Sequence, residues 1–231
     1  MKILINYANI GYDNARAKQK ETAYTLGKFD NVIEYNFEHI DEEFKSKHSK
    51  IFSEKRGAGF WLWKPYIILK TLKAMNSDDI LMYCDAAMSF VSCIDPYIKA
   101  LEGKSFLVFQ NSWHKEHTFT KADILTHFDV LSNKSITSTF QLDASHSLWT
   151  KAAIPFVEEW LDLCTNYQYI SDAPSIVANL PQFKQNRHDQ SILSILAKVR
   201  APSQIEFVAS QFDGNLRKNL PELLDHHRNR N

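Results

Sequence analysis

Short apolar runs alternate with amphipathic stretches along most of the chain. Ile3 to Tyr7 is a mostly apolar run of strand length, and Asn14 to Leu26 follows with helix-forming residues that Gly27 would stop. Val32, Ile33, Tyr35 and Phe37 mark a second strand over Asn31 to Phe37. The charged stretch from Glu38 to Lys55, anchored only by Phe44, Ile51 and Phe52, predicts one or two surface helices. Pro65 suits a helix's first turn, and Tyr66 to Met75 continues it before Ile80 to Tyr83 returns to a strand that ends at Asp85.

The second half continues the pattern. Pro96 to Leu101 predicts a short helix, Phe106 to Phe109 a strand, Lys121 to Phe128 a helix and Phe140 to Trp149 an extended segment. Phe156, Val157, Trp160, Leu161 and Cys164 line one face of a helix over Ala152 to Cys164. A loop with Pro174 and Pro181 leads to a helix over Asp189 to Val199, then a late strand over Ile205 to Val208 and a polar tail from Leu216 to Asn231. Such alternation predicts an α/β sheet covered by helices, with ligands gathered at the carboxyl ends of its strands. Asp85 belongs at such an end.

Composition narrows the class. The 231 residues suffice for one large domain with a substantial core. Lys+Arg and Asp+Glu balance at 27 each, which argues against broad nucleic-acid binding. Cys84, Cys93 and Cys164 have neither zinc spacing nor an even count, the pattern of reduced thiols in a cytosolic protein. No apolar window is long enough for a signal peptide core or a membrane span. Six glycines and the absence of a Gly-rich phosphate loop argue against the common nucleotide-loop folds.

Residues 56–66 are the densest chemistry. Arg56 and Lys64, Gly57 and Gly59, and the rings of Phe60, Trp61, Trp63 and Tyr66 combine charge, flexible backbone and stacking surface. The two tryptophans are either a platform for a base or sugar or plain core. Asp85 is either a carboxylate for Mg2+ or Mn2+ bridging a diphosphate or a strand-end aspartate in a turn. Residues 186–191 open the Asp189 helix. Asp189 alone would serve as its N-cap, whereas Arg187, His188 and Gln190 add groups suited to sugar hydroxyls or an anion. His226, His227 and Arg228 can close a metal site and meet a phosphate, or belong to a frayed terminus. His114 and His117 are expected on a surface loop, and Trp149 and Trp160 in the core.

In order, the stretches RGAGFWLWKPYIIL (56–69), DILMYCDAA (79–87), FVEEWLDLC (156–164), NRHDQSILSIL (186–196) and DHHRNR (225–230) resemble a family of small bacterial and viral glycosyltransferases of the GT-A fold. The ordered set, over roughly residues 56–228, is what is specific. The resemblance implies a single GT-A-like domain over 1–231, a mixed sheet flanked by helices, with a nucleotide-binding half (1–110) and an acceptor and donor-sugar half (111–231). It implies a metal-dependent, hexosyltransferase-type enzyme that moves a sugar, with retention, from a nucleotide-diphosphate donor to a glycan in surface polysaccharide synthesis. Mn2+ or Mg2+ is the implied cofactor and a UDP-linked sugar the co-substrate.

The implied location is cytoplasmic, with peripheral association at the inner face of the membrane left open; nucleic acid is not an expected partner. Asn6, Tyr7, Ala8, Arg56, Lys64, Asp85 and Arg228 would bind the nucleotide-sugar, and Asp85, His226 and His227 the metal. Asp189 and Gln190 would border the anomeric carbon. Tyr83 stands where such enzymes carry the first aspartate of an Asp-x-Asp motif. That departure keeps a second reading open, a silent nucleotide-sugar or glycan-binding domain. A hydrolase pairing Asp85 with Asp189 ranks third.

Overall fold

The computed structural model describes residues 1–212 and 220–226. Eight strands run in chain order: β1 (Lys2–Tyr7), β2 (Asn31–Tyr35), β3 (Ile80–Cys84), β4 (Met88–Phe90), β5 (Phe106–Lys115), β6 (Phe140–Trp149), β7 (Ile205–Ala209) and β8 (Leu224–His226). Six form one sheet in the order β2-β1-β3-β6-β5-β7, and β4 pairs with β8 in a small second sheet. β1 is parallel to β2 and β3, and β7 to β5, while β6 is antiparallel to both of its neighbours. The chain is therefore α/β with a mixed sheet flanked by helices, the class the alternation predicts.

Side-chain alternation sends each strand's apolar residues to two cores. Ile3, Ile5, Tyr7, Leu81, Tyr83 and Trp149 face one layer, built with helices Trp63–Ala74, Ile154–Thr165 and Asp189–Arg200. Leu4, Met82, Cys84 and Leu148 face the other, against Phe29, Phe90 and Tyr97. Trp149 and Trp160 are both core, as expected, stacked at 6.0 Å between ring centroids.

Most elements fall where the pattern predicts, and β6 coincides with the expected Phe140 to Trp149. Three expectations are corrected. The first helix, Asp13–Thr22, runs on through a wider turn over Ala23–Gly27, and the left-handed residue that ends it is Lys28, not Gly27. His114 lies on β5 rather than a surface loop, and His117 in the short helix Glu116–Phe119. The tail is not frayed at its described end: Leu223 and Leu224 are fully buried, and β8 pairs with β4. The Gln211 side-chain oxygen accepts from both Leu223 N and Leu224 N at 3.0 Å.

Two irregularities shape the functional end. Val108 pairs with Ser147 but Phe109 with Asp143, so β6 bulges over residues 144–146. A bulge re-aims side chains at a sheet's rim. The second is a left-handed turn: Gly57, Ala58, Gly59, Phe60 and Trp61 all have positive φ, between 50° and 95°. For the three residues that are not glycine this conformation costs roughly 1–2 kcal/mol each. Among the described residues no helix is long and apolar enough to cross a membrane.

Candidate active site

Parallel β1 and β3 both end at one rim of the sheet, with Ile5 opposite Tyr83, so Tyr7 and Asp85 emerge side by side. Above them opens a cleft of about 670 Å³. Its walls include Tyr7, Ala8, Tyr12, Gly57, Trp61, Asp85 and, from β8, His226. A smaller recess of about 150 Å³ adjoins it, lined by Arg56, Lys64, Ala144, Ser145, Arg187, His188, Asp189 and Gln190. Trp61 and Asp85 line both. The left-handed turn is what carries Trp61 to this junction.

Lys64 lies at the centre. Its helix opens with Trp63-Lys64-Pro65, and Pro65 is tolerated there because first-turn N–H groups lack intrahelical partners. The Lys64 ammonium is 3.2 Å from Asp189 Oδ2 and 3.7 Å from Asp85 Oδ1, with only 4% of the Lys64 and Asp189 side chains exposed. Burial opposes its charge, but the two carboxylates outweigh that and hold the lysine above its ordinary range. Asp189 is pushed up to about 6 by burial, with Lys64 opposing the rise.

Asp85 remains 38% exposed as a side chain. Tyr83, fully buried, donates its hydroxyl to Asp85 Oδ1 at 2.5 Å. Gln19 donates to the Asp85 backbone oxygen, and Asn6 donates in turn to Gln19 Oε1. Thus Asn6, expected near the nucleotide, is fully buried and supports Asp85 from beneath, while Tyr7 and Ala8 reach the cleft. Trp63 is buried in the core yet also lines the cleft: it stacks on Tyr7 at 3.8 Å and donates from its indole to Gly57 O.

Asp189 is not the N-cap. His188 occupies that position at φ 56°, ψ −123°, and Asp189 is the first helical residue, turned onto Lys64. His188 stacks on Phe60 at 4.9 Å and its Nδ1 meets Ile170 O at 2.7 Å. Burial pulls its pKa down to about 4, so the ring is neutral at neutral pH and Nδ1–H is the donor. Gln190 donates to Gln141 Oε1 at 2.8 Å, and Gln141 donates to Thr120 Oγ1 and the buried Glu116. Arg56 pairs with Asp172 at 3.0 Å.

Five expected residues therefore converge on the recess or its junction: Arg56, Lys64, Asp85, Asp189 and Gln190. Tyr7, Ala8 and His226 converge on the larger cleft. His227 and Arg228 lie outside the described residues. Sequence reasoning missed Gln141, Tyr12 and Asp143. Asp143, buried on β6 and hydrogen-bonded by Asn111 at 2.9 Å, is pushed up to about 6 mainly by burial. The bulge that brings it near Asp85 and Lys64 leaves no signature in the order of residues.

Among the described residues no three His, Cys, Asp or Glu side chains gather as a metal cage. Asp85 and His226 both line the cleft, an oxygen and a nitrogen donor. That partial set fits a divalent ion whose remaining positions are filled by phosphate oxygens and water, the usual arrangement for Mg2+ at a diphosphate.

No protein-family model and no curated protein matches the sequence. Among solved structures the chain is similar to mouse xyloside xylosyltransferase 1, with TM-score 0.48 and 9% identity over 90% of this chain and 84% of that one. It is also similar to a glycosyltransferase involved in glycosylation of the major capsid of PBCV-1, with TM-score 0.49 and 10% identity over 90% and 82%. A third is the glycosyltransferase GlyE of Streptococcus pneumoniae TIGR4, with TM-score 0.47 and 11% identity over 92% and 46%. At such identities the function has to be argued from this chain's own residues.

Proposed function

We propose that the chain is a metal-dependent glycosyltransferase that moves a sugar, of hexose type, from a UDP-linked donor to a glycan acceptor with retention of configuration. We assign it to surface polysaccharide synthesis in the cytoplasm. The observation that carries the reading is the juncture of two recesses at Asp85. A large cleft with aromatic walls adjoins a small charged recess holding Lys64, Asp189 and Gln190.

The nucleotide belongs in the larger cleft, where Tyr7, Tyr12 and Trp61 offer stacking faces. The donor sugar then lies over Asp85 toward Asp189 and Gln190. Asp85 and His226 would hold a divalent ion, which supplies positive charge to the departing diphosphate. Transfer breaks the bond between the anomeric carbon and the diphosphate oxygen, and the electron pair leaves with the diphosphate. The acceptor oxygen forms the new bond to that carbon and gives its proton to the departing phosphate.

This chain's residues act on the charges that develop. Lys64 is a fixed buried cation between the two carboxylates, so it stabilises Asp85 and Asp189 as anions without reorganising. Ionised above about pH 6, Asp189 supplies negative charge to the oxocarbenium-like carbon. Gln190, tied to Gln141, orients the ring and is too poor a nucleophile to form an adduct. Trp61, at the junction, restricts water from the reacting carbon.

The reading is tested by thermal shift with UDP and GDP, with and without Mn2+. The expected result is stabilisation by one nucleotide that grows with Mn2+; no shift with either nucleotide contradicts it. One observation favours the binding-module alternative. Asp85 already accepts from Tyr83 and faces Lys64, which satisfies part of its charge. Nucleotide binding without any hydrolysis of a panel of donor sugars would favour that alternative.

A further inference from the structure

Three cations line the small recess, and they differ in how their charge is met. Lys64 faces two carboxylates and Arg56 faces Asp172. Arg187 faces none: among the described residues it makes no ion pair. Its Nη2 donates to His114 Nε2 at 2.8 Å, and its guanidinium lies 5.0 Å from the centre of the Phe119 ring. Its Nε is buried and has no hydrogen-bond partner. His114 cannot neutralise it. Burial, and then the Arg187 charge itself, pull that imidazole down to about 4, so it stays neutral and accepts.

Leaving a half-buried guanidinium without an anion is costly, and Arg56 adds like-charge repulsion. The chain nevertheless anchors the Arg187 backbone. Its backbone N–H donates to Ser191 Oγ at 2.9 Å, and Ser191 Oγ donates to Phe119 O at 2.7 Å. A cation without a carboxylate partner, on the wall of a recess, matches an anionic group brought by a ligand. Arg187 lines the recess beside Asp189 and Gln190 and is not among the residues of the nucleotide-sized cleft.

We propose that Arg187, with Arg56 beside it, forms a subsite for a negatively charged substituent on a sugar, a carboxylate or a phosphate ester, so that the substrate bound in the small recess is an acidic saccharide. This deepens the transferase reading and rests on it for the direction of the sugar. The anion's chemistry rests only on the recess.

The test is calorimetric binding of glucose, glucuronate, glucose 6-phosphate and UDP at constant ionic strength. The proteins are the wild type, Arg187→Gln and Arg187→Lys. We expect the wild type to bind glucuronate or glucose 6-phosphate roughly tenfold more tightly than glucose, the scale of one charge-assisted hydrogen-bonded contact. Whichever of the two is preferred identifies the anion as carboxylate or phosphate. Arg187→Gln should lose the preference, Arg187→Lys should keep part of it, and UDP affinity should stay within about twofold in both. Equal binding of all three sugars to the wild type, including no measurable binding of any, overturns the proposal. So does a preference that survives in Arg187→Gln. A loss of UDP affinity in Arg187→Gln equal to the loss for the acidic sugar overturns it too, because Arg187 would then serve the diphosphate. Failure of UDP to bind the wild type contradicts a UDP-linked donor, while the sugar comparison still decides the subsite.

Discussion

Lys64 Nζ lies 3.2 Å from Asp189 Oδ2, and both side chains are only 4% exposed. Removing one member of a buried pair typically costs about 3–5 kcal/mol, because the remaining charge has lost its partner. Lys64→Met should therefore lower unfolding free energy by about that amount in urea titration, and should drive Asp189 to its protonated form. Asp189→Asn combined with Lys64→Met should recover part of the loss. If both single variants unfold like the wild type, the pair does not form.

The same pair sets a pH dependence. Burial raises Asp189 from 3.8 to about 6, so between those values the folded state holds a proton that the unfolded chain releases. Asp189 thus contributes stability that falls as pH rises through that window, at up to about 1.4 kcal/mol per pH unit. Buried Asp143 acts in the same sense. His114, His146 and His188, all pulled down by burial, act in the opposite sense over a similar range. The readout is therefore the difference between wild type and Asp189→Asn. From pH 4 to 6.5 the wild type should lose stability relative to the variant.

A Cβ on Gly57 would come within 2.4 Å of the Trp61 ring, and Gly57 itself sits at φ 59°. Gly57→Ala should displace Trp61 from the junction and strain the turn by roughly 1–2 kcal/mol. UDP affinity should fall about tenfold or more, with a shift in tryptophan emission. Unchanged affinity and emission would mean that Trp61 does not border the nucleotide.

Gln141 is buried and holds Gln190 by a 2.8 Å hydrogen bond. Gln141→Leu removes that restraint and leaves buried Glu116 with one donor fewer, a cost of about 1–3 kcal/mol. We expect kcat for donor hydrolysis to fall roughly tenfold or more while KM changes less, as for a residue that acts by positioning another. An unchanged kcat would remove Gln190 from the chemistry.

Much of this framework could be read from the order of residues. Ile3 to Tyr7 and Ile80 to Tyr83 announce themselves by apolar content, and Asp85 stands at a strand end because Ile80 to Cys84 is buried on both faces. What escaped the sequence depends on long-range geometry. Lys64 was expected at the cleft opposing a diphosphate, yet the packing of its helix against the sheet buries it between two aspartates 21 and 125 residues away. Asp189 had the spacing of an N-cap, but the positive φ of His188 turns it inward instead. The position of His226 was legible only as a His-rich tail, because its pairing with Met88 joins distant segments of the chain. Arg187 was noticed among polar neighbours, but its lack of a carboxylate is a fact of packing.

The central claim is that the rim around Asp85 and Asp189 breaks a nucleotide-sugar bond with help from a divalent ion. The most direct measurement is Mn2+-dependent release of UDP or GDP from a panel of nucleotide-sugars, by the wild type, Asp85→Asn and Asp189→Asn, each verified as folded by its cooperative unfolding. The account predicts release from at least one donor, abolished by EDTA, restored by Mn2+, and reduced by about a hundredfold or more in both variants. Release that is indifferent to EDTA and to both substitutions, or no release from any donor by the wild type, would contradict it.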